Sequence, residues 1–173
     1  TLTGAGTLNW VTDFIRAYIN GNWTAFSGRI NITANGANST YEDKFIVNTP
    51  NGFPNATLNL GANVIMCYKN GTADNGTTTI KTGMLTGVAG AEFYNAGLET
   101  GSNNSSGTFA GIKKKKKKKK KVGTGTWLLS GANTYTGSTT VSEGTLNITG
   151  SVGSGTITVQ NSGMLNLLGT AGG

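Results

Sequence analysis

Seven carboxylates are the groups in this sequence that could carry acid–base chemistry: Asp13, Glu42, Asp43, Asp74, Glu92, Glu99 and Glu143. No histidine accompanies them, which removes imidazole bases, catalytic triads and His-ligated metal sites. Hydrolysis of a glycosidic bond usually takes two carboxyl groups on one surface. Only Glu42 and Asp43 are close in sequence, and neighbours on a strand point to opposite faces. No catalytic residue and no cofactor site is therefore expected. The aspartate- and glycine-rich nonapeptide that binds calcium in β-rolls is missing, and Asp74 alone cannot replace it, so no metal site is expected either. The single cysteine, Cys67, can form neither an internal disulfide nor a CxxC site and reads as a small buried hydrophobe.

Two other residue classes could meet a ligand. Trp10, Trp23 and Trp127, with Phe14, Phe26, Tyr94 and Tyr135, offer faces that stack on sugars, so a surface polysaccharide is a candidate partner; such aromatics more often close a core. Nine Asn-x-Ser/Thr triplets occur, at Asn22, Asn31, Asn38, Asn55, Asn70, Asn75, Asn103, Asn104 and Asn147. They read either as glycan acceptors or as strand alternation, because Asn and Thr two positions apart share a face. Asn70, Asn75, Asn103 and Asn104, in polar loops, are the better glycosylation candidates.

The net charge of +7 rests on one tract. Nine of the 14 basic residues are Lys113 to Lys121; the other five oppose seven acids, leaving the rest of the chain at −2. No nucleic-acid partner is inferred from such a balance. The tract has three readings: a basic loop for acidic polymers or anionic lipid, a repetitive codon run prone to slippage, or a stand-in for a segment of other identity. Nine adjacent like charges repel and resist folding.

Elements that could position these groups are short and β-like. Glycine contributes 28 residues and proline 2, charged residues are 12%, and Thr, Asn and Ser are abundant. Gly, Asn and Thr are poor helix formers, while the recurring β-branched runs argue against disorder. No run of about 18 apolar residues offers a membrane span. The sequence starts at Thr1 with no visible signal peptide, so a mature chain or a fragment is expected.

Three segments align without gaps: Gly125-Thr-Trp-Leu-Leu-Ser-Gly131, Gly144-Thr-Leu-Asn-Ile-Thr-Gly150 and Gly163-Met-Leu-Asn-Leu-Leu-Gly169. Their first glycines are 19 residues apart twice running. A second strand phrase, Thr139-Thr-Val141, returns as Thr156-Ile-Thr-Val159. One such unit cannot bury its own apolar face, so the units are expected to wind and stack as a β-solenoid. Leu146 is expected on Leu165 and Ile157 near Val141, with Leu128, Val141, Leu146, Ile148, Ile157, Val159, Leu165 and Leu167 as the core ladder. Similar phrases upstream, Gly6-Thr-Leu-Asn-Trp10, Gly28-Arg-Ile-Asn-Ile-Thr33 and Thr57-Leu-Asn-Leu-Gly61, recur at longer intervals, as if loops were inserted at corners. Eight or nine coils are expected.

The stretch Lys121-Val-Gly-Thr-Gly-Thr-Trp-Leu-Leu-Ser-Gly131, Ala132-Asn-Thr-Tyr-Thr-Gly-Ser-Thr-Thr-Val141, Ser142-Glu-Gly-Thr-Leu-Asn-Ile148 resembles the autotransporter-associated β-strand repeat. Gly131, Asn133, Tyr135, Gly137 and Thr139 hold the places of that family's Leu-x-Gly-x-Asn-x-Tyr-x-Gly-x-Thr phrase. The resemblance covers about 50 residues, from 121 to 173, and the lysine tract departs from it. It implies an all-β, right-handed parallel β-helix in an exported bacterial passenger, and no activity by itself. The expected organisation is irregular coils over 1–112, the lysine tract over 113–121 and regular repeat coils over 122–173. The expected role is a non-catalytic scaffold or adhesin, extracellular or on a bacterial cell surface. Its partners would be adjacent repeats or copies of itself meeting at open coil ends; a filament subunit is the alternative and a carbohydrate-active β-helix a remote one.

Overall fold

The computed structural model describes residues 1–12, 17–35, 44–49, 51–68, 78–115 and 117–172. Among these residues there is no helix, and the strands pair in parallel throughout. Strands that alternate apolar with polar residues can bury only one face, and here each buries it against the coil before and after.

The first and longest face is a column of eight rungs: β1 (Thr7–Thr12), β3 (Arg29–Ala34), β5 (Phe53–Leu60), β7 (Thr79–Gly87), β10 (Gly107–Phe109), β13 (Thr126–Leu129), β14 (Thr139–Ile148) and β16 (Ile157–Leu167). Strands β7, β14 and β16 are long because each turns a corner. Their leading residues form a second face with β9 (Gly97–Thr100) and β12 (Lys119–Lys121). The third face holds β2 (Ala17–Ile19), β4 (Lys44–Val47), β6 (Ile65–Tyr68), β8 (Glu92–Tyr94) and β11 (Ile112–Lys114). Two short strands, β15 (Ser151–Val152) and β17 (Thr170–Ala171), pair in the last coils.

The result is a β-solenoid of about 7 turns, roughly 35 Å long at about 4.8 Å per turn. Eight rungs make seven steps, at the low end of the eight or nine coils expected. A coil takes 22 residues from Thr7 to Arg29 and 28 from Arg29 to Thr57, but 19 from Leu146 to Leu165.

The interior is a set of ladders. Ile30 sits on Leu58 and Leu58 on Leu85; Trp127 sits on Leu146 and Leu129 on Ile148. All of these are buried, and full burial of one such aliphatic chain stabilises by about 1.5–3 kcal/mol. The first coils are closed by aromatics. Trp23 meets Phe53 edge-on at 5.3 Å, and Trp10 meets Phe45 edge-on at 5.8 Å.

Outside, amides form a parallel ladder. Asn31 Nδ2 donates to Asn9 Oδ1 at 2.8 Å, Asn59 Nδ2 to Asn31 Oδ1 at 3.3 Å, and Asn166 Nδ2 to Asn147 Oδ1 at 2.8 Å.

One corner is a column of Gly111, Gly131, Gly150 and Gly169, one per coil. A Cβ on Gly131, Gly150 or Gly169 would fall inside the carbonyl oxygen of the glycine below it, so close backbone stacking demands glycine there. Gly150→Ala is expected to destabilise by about 1–3 kcal/mol through overpacking. Urea unfolding measures this, with exposed Ser154→Ala as the unaffected control.

Candidate functional site

The described carboxylates do not converge. Glu92 faces Lys114 Nζ at 2.7 Å on the third face. Glu99, on the second face, meets Lys120 at 3.3 Å and Lys81 at 4.0 Å. Glu143 lies in β14 at a later coil. Asp13, Glu42, Asp43 and Asp74 lie outside the described residues. The described acids therefore sit in separate ion pairs or coils.

Of the aromatics considered for sugar stacking, Trp127, Tyr135 and Phe26 are buried. Trp127 donates its Nε1–H to the Leu85 carbonyl at 2.9 Å, which satisfies the polar edge of a ring inside the core. Trp10, Trp23 and Tyr94 are half-buried, and Phe14 lies outside the described residues.

Among the glycan candidates, Asn70 and Asn75 also lie outside the described residues. Asn103 is half-buried; its Nδ2 donates to Thr57 Oγ1 at 3.1 Å, and its Oδ1 accepts from Ser105 N at 3.1 Å and Ser105 Oγ at 2.7 Å. Asn104 is exposed and accepts from the Thr124 amide at 3.0 Å. It holds φ at +60°, a left-handed turn conformation that Asn tolerates.

The five residues that carry the repeat phrase converge on one coil. Asn133 is buried; its Oδ1 accepts from the Lys113 amide at 3.0 Å and its Nδ2 donates to the Gly131 carbonyl at 2.9 Å. It therefore ties one coil to the one before. The Tyr135 hydroxyl lies 2.8 Å from Thr139 Oγ1, both buried, so each satisfies the other inside the core. Burial holds the Tyr135 phenol above its ordinary pKa. A Cβ on Gly137 would run into the Lys117 backbone, and one on Gly131 into Gly111. The phrase is a corner device, and each residue type answers a packing or hydrogen-bond demand.

Most of the described lysines of the tract lie in the solenoid wall. Lys113 and Lys114 belong to β11 and Lys119 to Lys121 to β12; strand alternation turns Lys113, Lys119 and Lys121 inward and leaves Lys114 and Lys120 at the surface, while between the strands Lys117 is buried and Lys118 exposed. The Lys113 rung lies on Phe93, Lys119 between Leu98 and Thr139, and Lys121 between Thr100 and Val141. Three ammonium groups thus occupy core-ladder positions.

Their environments differ. Lys121 Nζ donates to the carbonyls of Val122 at 2.7 Å, Gly123 at 2.6 Å and Glu143 at 3.2 Å. Lys119 Nζ donates to the Ala96 and Lys117 carbonyls, each at 3.2 Å, between the Phe93 and Tyr135 rings. Lys113 Nζ lies 3.6 Å from the Phe109 ring centre and 4.4 Å from that of Trp127. It finds no hydrogen-bond acceptor among the described residues. Burial lowers all three pKa values: Lys113 well below the ordinary lysine value, Lys119 to about 7, and Lys121 less, because the Glu143 charge opposes the shift.

The core-ladder residues fall into two groups. Val141, Leu146 and Ile148 are buried. Leu128 instead lies opposite Asn147 on the outward line of its face, and Trp127 and Leu129 take the inward places. Ile157 sits on Thr139 rather than near Val141, which carries Val159; Leu165 sits on Leu146 as expected. Ile157 and Leu165 are only half-buried, and Val159 and Leu167 are each 44% exposed. These four belong to the last coil, where a rung covers only one side. Outward Met164 and Leu168 beside them are exposed as well.

Residues 120–148 match the model of the passenger-associated-transport-repeat family. No curated protein and no solved structure matches the chain. The matched stretch is the coil that Asn133, Tyr135 and the corner glycines build. Repeat and solenoid together fit a secreted or surface protein of the autotransporter-passenger type.

Proposed function

We propose, taking residues 120–148 as such a repeat, that this chain is a non-catalytic scaffold of a bacterial cell surface, a rod that holds other parts of a surface protein away from the cell. The observation that supports this most is where the distinctive residues of the repeat go. Gly131, Gly137 and Asn133 serve contact with the preceding coil, Tyr135 and Thr139 bond each other inside the core, and a residue committed in this way is unavailable to a substrate. A stack in which each coil touches only its neighbours lengthens by repetition, which suits a spacer or a stalk for adhesion.

The test is surface labelling of intact cells that express the protein, with an antibody to the chain, alongside incubation of the purified chain with acidic and neutral polysaccharides. Labelling without permeabilisation and no release of reducing ends are expected. Labelling only after permeabilisation, or sugar release abolished by Glu92→Gln or Glu99→Gln, overturns the reading.

A further inference from the structure

We infer that the second face of the solenoid carries a recess for one acidic sugar residue of a polysaccharide, a unit that presents a carboxylate beside hydroxyl groups. A pocket of about 180 Å³ opens there. Four successive rungs line it with polar side chains: Thr79 from β7, Glu99 from β9, Lys118 and Lys120 at β12, and Ser138 and Thr140 at β14. Lys118 and Lys120 stand two positions apart and both are exposed, so they share one side of the wall. The backbone beneath them is held on both sides. The Leu98 amide donates to the Lys118 carbonyl at 3.0 Å, and the Lys119 amide to the Ser138 carbonyl at 2.8 Å. Gly97 pairs with Thr79 and has no side chain to cover the threonine hydroxyl; a Cβ there would lie 2.7 Å from Thr79 Oγ1.

The charges select the ligand. Glu99 is shared by Lys120 at 3.3 Å and Lys81 at 4.0 Å. With Lys118, three lysines stand against one carboxylate, and the surplus attracts an anion. A ligand carboxylate accepts charge-assisted hydrogen bonds from Lys118 and Lys120. Ligand hydroxyls donate to Glu99 and exchange hydrogen bonds with Thr79, Ser138 and Thr140. A polyanion without hydroxyl groups offers Glu99 nothing but repulsion. Glu99 is the one carboxylate among the lining residues, and glycoside hydrolysis usually takes two, so the recess holds a sugar without cleaving it. This adds a ligand to the scaffold and is tested separately from it.

The experiment titrates the 173-residue chain with polygalacturonate by isothermal calorimetry at physiological salt, with dextran as the neutral control. Binding to polygalacturonate and none to dextran are expected. Lys118→Gln with Lys120→Gln is expected to weaken binding by about tenfold or more, since each removes a charge-assisted hydrogen bond. Ser138→Ala with Thr140→Val leaves the charge unchanged and is expected to weaken it by about threefold or more. Arg29→Gln with Lys114→Gln removes the same charge from the other two faces and is expected to leave affinity within about twofold. No binding by the parent chain overturns the inference. Equal losses in the two charge-removing pairs, or unchanged affinity in the hydroxyl pair, overturn it in favour of diffuse attraction. Each of these outcomes leaves the scaffold reading standing. Circular dichroism of each variant establishes that it folds.

Discussion

Replacing Lys113, Lys119 and Lys121 together with leucine, leucine and valine is expected to raise the unfolding free energy by on the order of 5 kcal/mol. All three side chains stand where neighbouring coils place Phe93, Leu98 and Val141. Bringing an ammonium out of water costs several kcal/mol even after relaxation, and carbonyl contacts or ring faces return only part of that. Lys113 contributes most, since two aromatic rings are its described partners. Lys121 contributes least, since three carbonyls already accept from it. Leucine or valine removes the charge and keeps an apolar body of suitable size in the ladder.

The control is the outward set. Lys114→Leu, Lys118→Leu and Lys120→Leu break at most surface ion pairs with Glu92 and Glu99, and such pairs contribute about 0–1 kcal/mol each. Urea and thermal unfolding of the two triple variants separate the cases. An inward triple variant no more stable than the parent would show that these lysines are not held in the core.

Raising the pH from 7 to 10 is expected to stabilise the unmodified chain, against the usual trend for a protein near its alkaline limit. The sign follows from linkage. A lysine whose folded pKa is depressed releases its proton in the folded state at a pH where the unfolded chain still holds one, and stability rises with pH wherever the unfolded state binds more protons. For Lys119 the window opens near 7 and closes near the ordinary value of 10.5. Below it both states are protonated and the full burial cost applies; above it both are neutral and the gain is complete. Within the window each such lysine adds about 1.4 kcal/mol per pH unit. Lys113, whose pKa burial also holds well below the ordinary lysine value, contributes with the same sign. Unfolding midpoints measured between pH 6 and 10.5 should climb in the parent and stay flat in the inward triple variant. A parent curve that is flat or falls from pH 7 upward would rule the mechanism out.

Both effects arise from one coil region, and the same region shows how far the sequence is legible. The period of 19 residues and the alternation within Gly144–Gly150 and Gly163–Gly169 are enough to place Leu146 under Leu165, because a strand side chain can point only to one of two faces. The corner glycines are legible for a similar reason: a residue without a Cβ, repeated at a constant step, marks a place where backbones touch. In contrast, nine identical lysines have no pattern. Whether Lys119 or Lys120 points inward depends on the register imposed by Leu98 below and Thr139 above. Leu128, expected in the core ladder, is a misplacement that the alignment itself exposes: in the gap-free phrase it stands opposite Asn147, and the observed pairing gives the inward places to Trp127 and Leu129.

What the sequence by itself determined is the winding: a repeated strand phrase with no means of closing its own core must stack on its like. What only the tertiary structure decided is the environment of each rung. Trp127 reaches the carbonyl of Leu85, 42 residues earlier in the chain, and Lys119 takes an inward place between Leu98 and Thr139. The physical reason is that periodicity fixes the direction of a side chain along one strand, whereas burial depends on the rungs above and below it.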